Sequence, residues 1–238
     1  MEASISLGER ELPYLWKQSA RRRTVSITLH PERGVVVHTP RRYPLREVEA
    51  LLREKARWIF KHLGQMEADR AKRPQTLWQP GEEVPLRGNR YPLFCLPALE
   101  EEQVWFDGER FNLRTHELVP PPEKIETMMV DWYREEARRI INERVEHYRH
   151  GLGVSPEVIR IKDQKHRWGS CSAQGALNFS WRLILAPERV LDYVVVHELC
   201  HLRFLDHSNR FWTLVELVLP DYRELKAWLR QEGSSLTL

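Results

Sequence analysis

Two histidines four residues apart, His197 and His201, lie inside an apolar segment that begins after Pro187. Proline is frequent in the first turn of a helix, and Leu199 and Leu202 continue the apolar character of the segment. On a helix, residues i and i+4 lie one turn apart on the same face. The segment is therefore predicted to be a buried helix that presents both imidazoles to one point, and the rest of the fold must pack around it.

The motif at residues 197–201 reads HELCH, the HExxH pattern in which two histidines bind one metal ion. Glu198 is placed to reach a water held by that ion rather than the ion itself. His207 lies six residues beyond His201, where the chain is expected to have left the helix, and supplies a third ligand. Three protein ligands with an open position describe a catalytic zinc site, whereas four ligands close a structural one. Zn²⁺ is therefore the predicted cofactor.

Other potential ligands lie nearby in the sequence. Glu216 is a rival third ligand, because a second helix can donate a glutamate to such a site. Cys171 is expected to be a packed strand residue rather than a ligand. Cys200 is expected to point away from the histidine face and to be a small buried apolar residue.

A second unusual segment, residues 164–172, reads QKHRWGSCS. A glycine flanked by small residues lets another part of the chain approach closely. A strand here, beside the metal helix, can hold an extended substrate by main-chain hydrogen bonds. The candidate substrate-binding residues are Arg167, Trp168, Gly169, Ser170 and Cys171. A packed strand corner at Trp168 and Gly169 explains the same residues equally well.

The chain is predicted to have an α+β fold with two parts. Three consecutive prolines, Pro120 to Pro122, favour a boundary between a smaller α+β region at 1–117 and a second domain at 118–238. Strands are predicted at 24–30, 34–39, 83–87, 91–96, 103–106, 110–114, 158–162, 168–172 and 176–184. Helices are predicted at 44–70, from the prolines to about residue 150, after Pro187, and on both sides of Pro220.

Composition excludes several classes of protein. The formal net charge of +3 is too balanced to favour nucleic acid as a partner. No apolar run is long enough to span a bilayer, and the first residues do not resemble a signal peptide. Three widely spaced cysteines form no disulfide framework, so a reducing cytoplasm is the expected location. The sequence does not indicate an oligomeric state.

The segments RWGSCSAQGALNFSWRLILAP and LDYVVVHELCHLRFLDHSNRFW closely resemble the YgjP-like family of zinc metallohydrolases, which are related to the SprT and WLM metallopeptidases. The resemblance implies a zincin-like domain at 118–238, in which the long helix and the HExxH helix pack on a small antiparallel sheet. It also implies ligand roles for His197, His201 and His207 and a general-base role for Glu198. The histidine spacing matches metzincins too, but their helix-ending glycine would fall at Phe204.

The expected function is zinc-dependent hydrolysis of a peptide, with Glu198 activating the metal-bound water. Some members of the family are described as uridine nucleotide pyrophosphatases, so UTP hydrolysis is the alternative; Arg167, Lys165 and either Arg182 or Arg203 would then hold phosphates. A non-catalytic binding module stabilised by zinc is a third reading, and it requires a fourth protein ligand. A DNA-associated protease is the weakest reading, because the charge is balanced.

Overall fold

The computed structural model describes residues 2–8, 10–30, 33–72, 76–164 and 167–238, without the side chains of 69–72. The chain divides into two compact units, Met1–Arg73 and Pro74–Leu238. Each unit buries its own apolar core. Among the described residues, no helix combines the length and the apolar character that crossing a bilayer requires.

The first unit is a four-stranded sheet with one helix. Its elements are β1 (Glu2–Leu7), β2 (Arg10–Ser19), β3 (Ser26–His30), β4 (Gly34–Pro40) and α1 (Leu45–Lys72). The strand order is β1-β2-β4-β3, and only the central β2–β4 pair is parallel. Side chains alternate along β2, so that Leu12, Tyr14 and Trp16 share a core with Leu52 and Ile59 of α1.

Only β3 and β4 of this sheet were predicted; β1 and β2 were missed. The sequence signal for β2 is the alternation of Leu12, Tyr14 and Trp16. Pro13 lies within this alternation and disfavours a strand. Proline has no N–H to donate to a ladder and is tolerated where a strand has a free side. Pro13 pairs with Ser4 of β1, and the pairing of β2 with β4 begins one residue later, at Tyr14. At Pro13, β2 therefore has a partner strand on one side only, and a proline is tolerated there.

The second unit contains the remaining elements. They are β5 (Glu83–Leu86), β6 (Asn89–Pro97), β7 (Gln103–Phe106), β8 (Phe111–Thr115), α2 (Pro122–Leu152), β9 (Val158–Lys162), β10 (Gly169–Cys171), β11 (Ala176–Ser180), a 3₁₀ turn (Trp181–Leu185), α3 (Glu188–His201), α4 (Asn209–Val218), α5 (Tyr222–Glu232) and a final 3₁₀ turn (Gly233–Ser235). Strands β5 to β8 form a sheet in the order β5-β6-β8-β7. Most of these strands and helices lie close to their predicted positions, but the strand predicted at 176–184 ends at Ser180, and the chain continues as the 3₁₀ turn Trp181–Leu185.

The division of the chain falls at residues 73 and 74, whereas the sequence favoured a boundary after residue 117. Phe111 and Leu113 of β8 share one core with Ile125 and Met129 of α2. The turn between β5 and β6 is also bonded to the 3₁₀ turn, because the Gly88 N–H donates to the Leu185 carbonyl at 2.9 Å. The three prolines therefore mark the start of α2 within a unit, since proline suits the first turn of a helix.

A three-stranded sheet in the order β10-β11-β9 lies next to the HExxH helix in the sequence and the fold. Strand β11 pairs antiparallel with β10 but parallel with β9. The sheet is therefore mixed, and the expectation of a purely antiparallel sheet is corrected. Because β10 lies on the far side of β11, β9 and β11 are neighbours, and the chain crosses over between them through β10. This order leaves β10 at an edge of the sheet.

Helix α3 is fixed to α2 by a buried ion pair. Asp192 is 4% exposed and accepts two hydrogen bonds from the Arg144 guanidinium, at 2.6 and 2.8 Å. The Tyr148 hydroxyl donates a third at 2.9 Å. The carboxylate holds the pKa of Arg144 above its ordinary value. Both partners of the pair are satisfied, so the position of α3 is specified one turn before the HExxH motif.

Candidate metal centre

Helix α3 carries the motif on a buried scaffold. Val194, Val195 and Val196 are almost fully buried, and α3 ends at His201. His207 lies in the loop between α3 and α4, beyond the helix end as the sequence predicted. The elements thus bring two histidines from a rigid helix and one from a short loop to the same place.

The three imidazoles converge. The Nε2 atoms of His197 and His207 are 3.1 Å apart, and one potential ligand atom from each of the three histidines lies within 4.8 Å of the others. The Nδ1 atom of His201 is 2.9 Å from the Phe204 carbonyl oxygen. A carbonyl only accepts, so Nδ1 carries the proton and Nε2 is left as the ligand atom. This is the arrangement of a histidine whose ring is oriented for metal binding.

The electrostatics of the cluster favour neutral imidazoles. Burial, followed by the charges of His201, His207 and Lys226, lowers the pKa of His197 to about 3. Burial is also the largest cause that lowers the pKa of His207. Neutral imidazole is the form that binds a metal ion. Three imidazole nitrogens directed to one point therefore fit a divalent transition metal.

An aromatic side chain of α4 packs against all three histidines. Phe211 is fully buried, and its ring centroid lies 4.9 Å from that of His197, 4.5 Å from that of His201 and 4.9 Å from that of His207. Trp212 stacks on His207 at 5.5 Å. The rings are thus held by packing as well as by hydrogen bonds. The sequence argument did not identify Phe211 as part of the site.

Glu198 lies against the strand that was predicted to bind substrate. Its side chain is buried, and burial raises its pKa to about 7. A Cβ atom at Gly169 would lie 2.6 Å from Cγ and Oε1 of Glu198. A side chain at 169 would therefore displace either the glutamate or the strand, and glycine lets the two lie in close contact.

A cavity of about 270 Å³ opens over the cluster, and we call it the metal cavity. It is lined by Gly169, Ser170, Cys171, His197, Glu198, His201, Leu205 and His207. Three of the predicted substrate-binding residues thus lie beside the three histidines. Of the other two, Arg167 is exposed and outside the cavity lining, and Trp168 lines a neighbouring cavity.

The other potential ligands either lie outside the histidine cluster or have a raised pKa. Glu216 is outside the histidine cluster and pairs with Arg223 at 2.9 Å. Burial and the charge of Glu198 raise the pKa of the Cys171 thiol, which disfavours the thiolate that would bind a metal. Cys200 is fully buried, as expected, and all three cysteines are free. Within the described part of the chain, the cluster contains no fourth ligand.

The residues suggested for phosphate binding do not gather at the metal cavity. Arg182 is paired with Asp163 and lies over the Trp181 ring at 4.4 Å. Arg203 and Arg167 are exposed and do not contribute to the cavity lining. Lys165 lies outside the described residues.

A cluster of three histidines with a glutamate on a buried helix is the kind of site that metal-dependent hydrolases have. The family model described as "YgjP-like, metallopeptidase domain" matches residues 23–232. The chain belongs to this family, as its sequence motifs suggested.

Two solved structures are similar to a part of the chain, and both are metallopeptidase zymogens. Abylysin of Pyrococcus abyssi is 27% identical, with a TM-score of 0.35, over 39% of this chain and 92% of that chain. Jannalysin of Methanocaldococcus jannaschii is 21% identical, with a TM-score of 0.36, over 39% of this chain and 95% of that chain. No curated protein matches the sequence.

Proposed function

We propose that this chain is a zinc-dependent peptidase in which His197, His201 and His207 hold the metal and Glu198 is the general base. The observation that carries the proposal is the 3.1 Å approach of the Nε2 atoms of His197 and His207, with Glu198 next to His197 on the buried helix α3. A single Nε2–H···Nε2 hydrogen bond would account for two such rings, but the ligand atom of His201 lies within 4.8 Å of both, and a shared metal ion accounts for all three.

Zinc is the metal that best suits this donor set. It is bound in tetrahedral geometry by imidazole nitrogens, and its catalytic sites combine three protein ligands with one open position. The described residues supply three nitrogens, and a cavity adjoins them. Calcium and magnesium prefer oxygen ligands, which this cluster does not offer.

The chemistry proposed is peptide hydrolysis. A bound zinc ion supplies a water of lowered pKa and polarises the attacked carbonyl. Glu198 accepts the proton of the attacking water as the C–O bond forms, and delivers it to the amine nitrogen as the C–N bond breaks. The apolar surroundings that raise the pKa of Glu198 also favour its protonated form between these two transfers.

Strand β10 is the proposed guide for the substrate. It lies at the edge of its sheet, paired on one side with β11, and its residues line the metal cavity. An extended peptide can add to such an edge by main-chain hydrogen bonds. Gly169 keeps this edge close to Glu198, so a peptide bound there lies near both the base and the histidines.

Replacing Glu198 by glutamine tests the proposal. The amide keeps the shape of the carboxylate but accepts no proton, so we expect bound zinc to be retained and peptide hydrolysis to fall about 10²–10⁴-fold. Metal content is measured by elemental analysis, and hydrolysis with a panel of peptides, an unfolded protein and nucleoside triphosphates, with and without chelator.

Glu188→Gln is the matched control, since Glu188 lies in the first turn of the same helix and is exposed. It should retain full activity. Undiminished hydrolysis by the Glu198→Gln variant would rule out the general-base role. Release of pyrophosphate from nucleotides, with every peptide intact, would replace the peptidase assignment by nucleotide hydrolysis.

A further inference from the structure

A second and larger cavity has a volume of about 480 Å³. It is lined by Trp168, Tyr193, Arg223, Lys226, Ala227, Leu229 and Arg230. Three of these residues are cations from α5, two are aromatic, and none of the described lining residues is acidic. We call it the cationic cavity.

Chain connectivity joins the two cavities. Trp168 of the cationic cavity directly precedes Gly169 of the metal cavity, at the start of β10. Tyr193 lies one helical turn before His197 on α3, with ring centroids 5.8 Å apart. A substrate that follows β10 past its first residue therefore passes from one cavity into the other.

The positive charge of the cationic cavity is only partly neutralised. Arg223 pairs with Glu216 at 2.9 Å. Lys226 and Arg230 have no carboxylate partner within ion-pairing distance among the residues described. Two exposed cations thus remain available to a ligand.

Lys226 lies close to the metal centre. Its ammonium lies 4.0 Å from the centroid of the Trp212 ring, and Trp212 stacks on His207. Its charge contributes to the lowered pKa of both His197 and His207. One aromatic ring therefore separates this cation from the proposed zinc ligands.

We propose that the cationic cavity is the subsite for an acidic side chain of the peptide substrate, with Lys226 and Arg230 pairing with its carboxylate. Charged donors and a carboxylate form short hydrogen bonds that are stronger than neutral ones. Trp168 packs against the apolar part of the same side chain. The inference deepens the proposed peptidase function and rests on it.

The geometry also indicates how far along the substrate the acidic residue lies from the bond that is cleaved. An extended chain advances about 3.3 Å per residue, and the rings of Tyr193 and His197 lie 5.8 Å apart, so we expect the acidic residue within a few residues of the bond that is cleaved. Two unpaired cations balance one carboxylate and leave a single excess charge. They are too few to neutralise a triphosphate, which carries several negative charges.

Binding to the Glu198→Gln variant, loaded with zinc, separates this inference from turnover. The probes are fluorescein-labelled peptides that carry one glutamate, or one glutamine at the same position, at each place along a polyalanine-based sequence. We expect the glutamate peptide to bind about tenfold more tightly at one or two positions near the centre. Because the cations are exposed, the preference should shrink as the salt concentration rises.

Substituting the cations tests their role. Lys226→Gln and Arg230→Gln should each reduce the preference for glutamate, and the double variant should abolish it, with zinc content unchanged. Arg138→Gln is the matched control, because this exposed arginine pairs only with Glu135 of its own helix in the described structure. It should leave the preference intact.

Each outcome bears on one proposal. Equal binding of the glutamate and glutamine peptides at every position overturns the subsite, whether or not peptides are cleaved. A nucleoside triphosphate is also compared with unlabelled glutamate peptide as a competitor of the labelled peptide. If the triphosphate displaces the labelled peptide at the lower concentration, and does so only when Lys226 and Arg230 are present, the cavity is a phosphate site and the acidic subsite is overturned. Selective binding of glutamate peptides without hydrolysis by the unaltered protein supports the subsite and contradicts the peptidase function.

Discussion

At the scale of single residues, the third ligand is the point on which the metal site depends most. His207 directs Nε2 at the Nε2 of His197, while Glu216 is occupied by Arg223. His207→Ala should therefore weaken zinc binding at least about 10–100-fold, the loss that follows when even an indirect supporting group is removed. Zinc content after dialysis and titration with a competing chelator measure the effect.

Glu216→Ala serves as the comparison for that variant. It removes one exposed ion pair, which contributes about 0–1 kcal/mol to stability, and it should leave zinc binding unchanged. Retention of zinc by the His207 variant together with loss by the Glu216 variant would reverse the assignment of the third ligand.

Gly169 gives a second prediction for a single residue. A methyl group at this position would lie 2.6 Å from the Glu198 side chain, so Gly169→Ala must displace either the glutamate or β10. A displacement of about 1 Å in a catalytic group reduces rates about 10²-fold. We expect that loss in the rate of peptide hydrolysis, with zinc content and melting temperature nearly unchanged.

Gly151→Ala is the control for that substitution. Gly151 lies within α2, and a methyl group there would meet no atom within 4 Å. The activity should be unaffected, and α2 should be slightly stabilised because alanine favours the helix. Equal rates for the two alanine variants would show that Gly169 is not required for catalysis.

The proposed ligands His197 and His201 could be identified from the sequence, whereas the contacts around them could not, for a physical reason. His197, Glu198 and His201 are related by the period of one helix, which the sequence shows directly. The approach of Gly169 to Glu198 and the packing of Phe211 under the histidines depend on how separate elements come together. Nothing local in the sequence determines those distances.

At the scale of secondary-structure elements, the junction of α2 and α3 determines whether the HExxH helix keeps its place. Asp192→Asn leaves the half-buried Arg144 guanidinium without its charge partner. Breaking such a pair costs about 2–4 kcal/mol, somewhat less than a fully buried pair because Arg144 retains contact with solvent. Urea unfolding followed by circular dichroism measures the loss.

Asp131→Asn is the matched control on α2, because Asp131 forms an exposed pair with Arg134. Its effect should stay within about 0.5 kcal/mol. A similar loss of stability in both variants would mean that the Asp192 pair adds nothing beyond an ordinary surface interaction.

Helices were predicted more accurately than sheet partners at this scale. The apolar period of α2 and the proline and glycine at its ends gave its position, and Gly153 ends it with a φ of 62°. The strands β9 and β11 were found, but their parallel pairing was not, because β10 crosses to the far edge. Strand order depends on contacts between distant residues, whereas strand existence depends on local alternation.

At the scale of the whole molecule, two separate cores predict two unfolding transitions. The core of Met1–Arg73 contains no proposed metal ligand, whereas the core of Pro74–Leu238 surrounds all three. A ligand stabilises only the state that binds it. Removing zinc with a chelator should lower one melting temperature, by on the order of 10 °C, and leave the other unchanged in scanning calorimetry.

Leu52→Ala identifies the transition that does not respond to the chelator. Leu52 is fully buried in the first unit, and its truncation should cost about 2–5 kcal/mol there. This variant should lower only the chelator-insensitive transition. A single transition that responds to both the chelator and the Leu52 substitution would show that the two units unfold together.

The division of the chain was the feature of the whole molecule that the sequence misplaced. Proline runs are found in linkers, but proline is also over-represented at the first position of a helix, and composition does not distinguish the two cases. Only the shared burial of Phe111 and Ile125 shows that the chain continues through the prolines without leaving its unit.

The contact between Gly88 and Pro187 has a practical consequence for protein engineering. Gly88 adopts a φ of +81°, and a Cβ there would lie 2.8 Å from Pro187, the residue before α3. The hairpin of β5 and β6 thus packs against the start of the HExxH helix and acts as a brace, that is, it holds the helix start in place by this contact. A minimal enzyme trimmed to begin at residue 118 would lack this brace, so shortened versions and domain grafts should retain the chain from Trp78 onward.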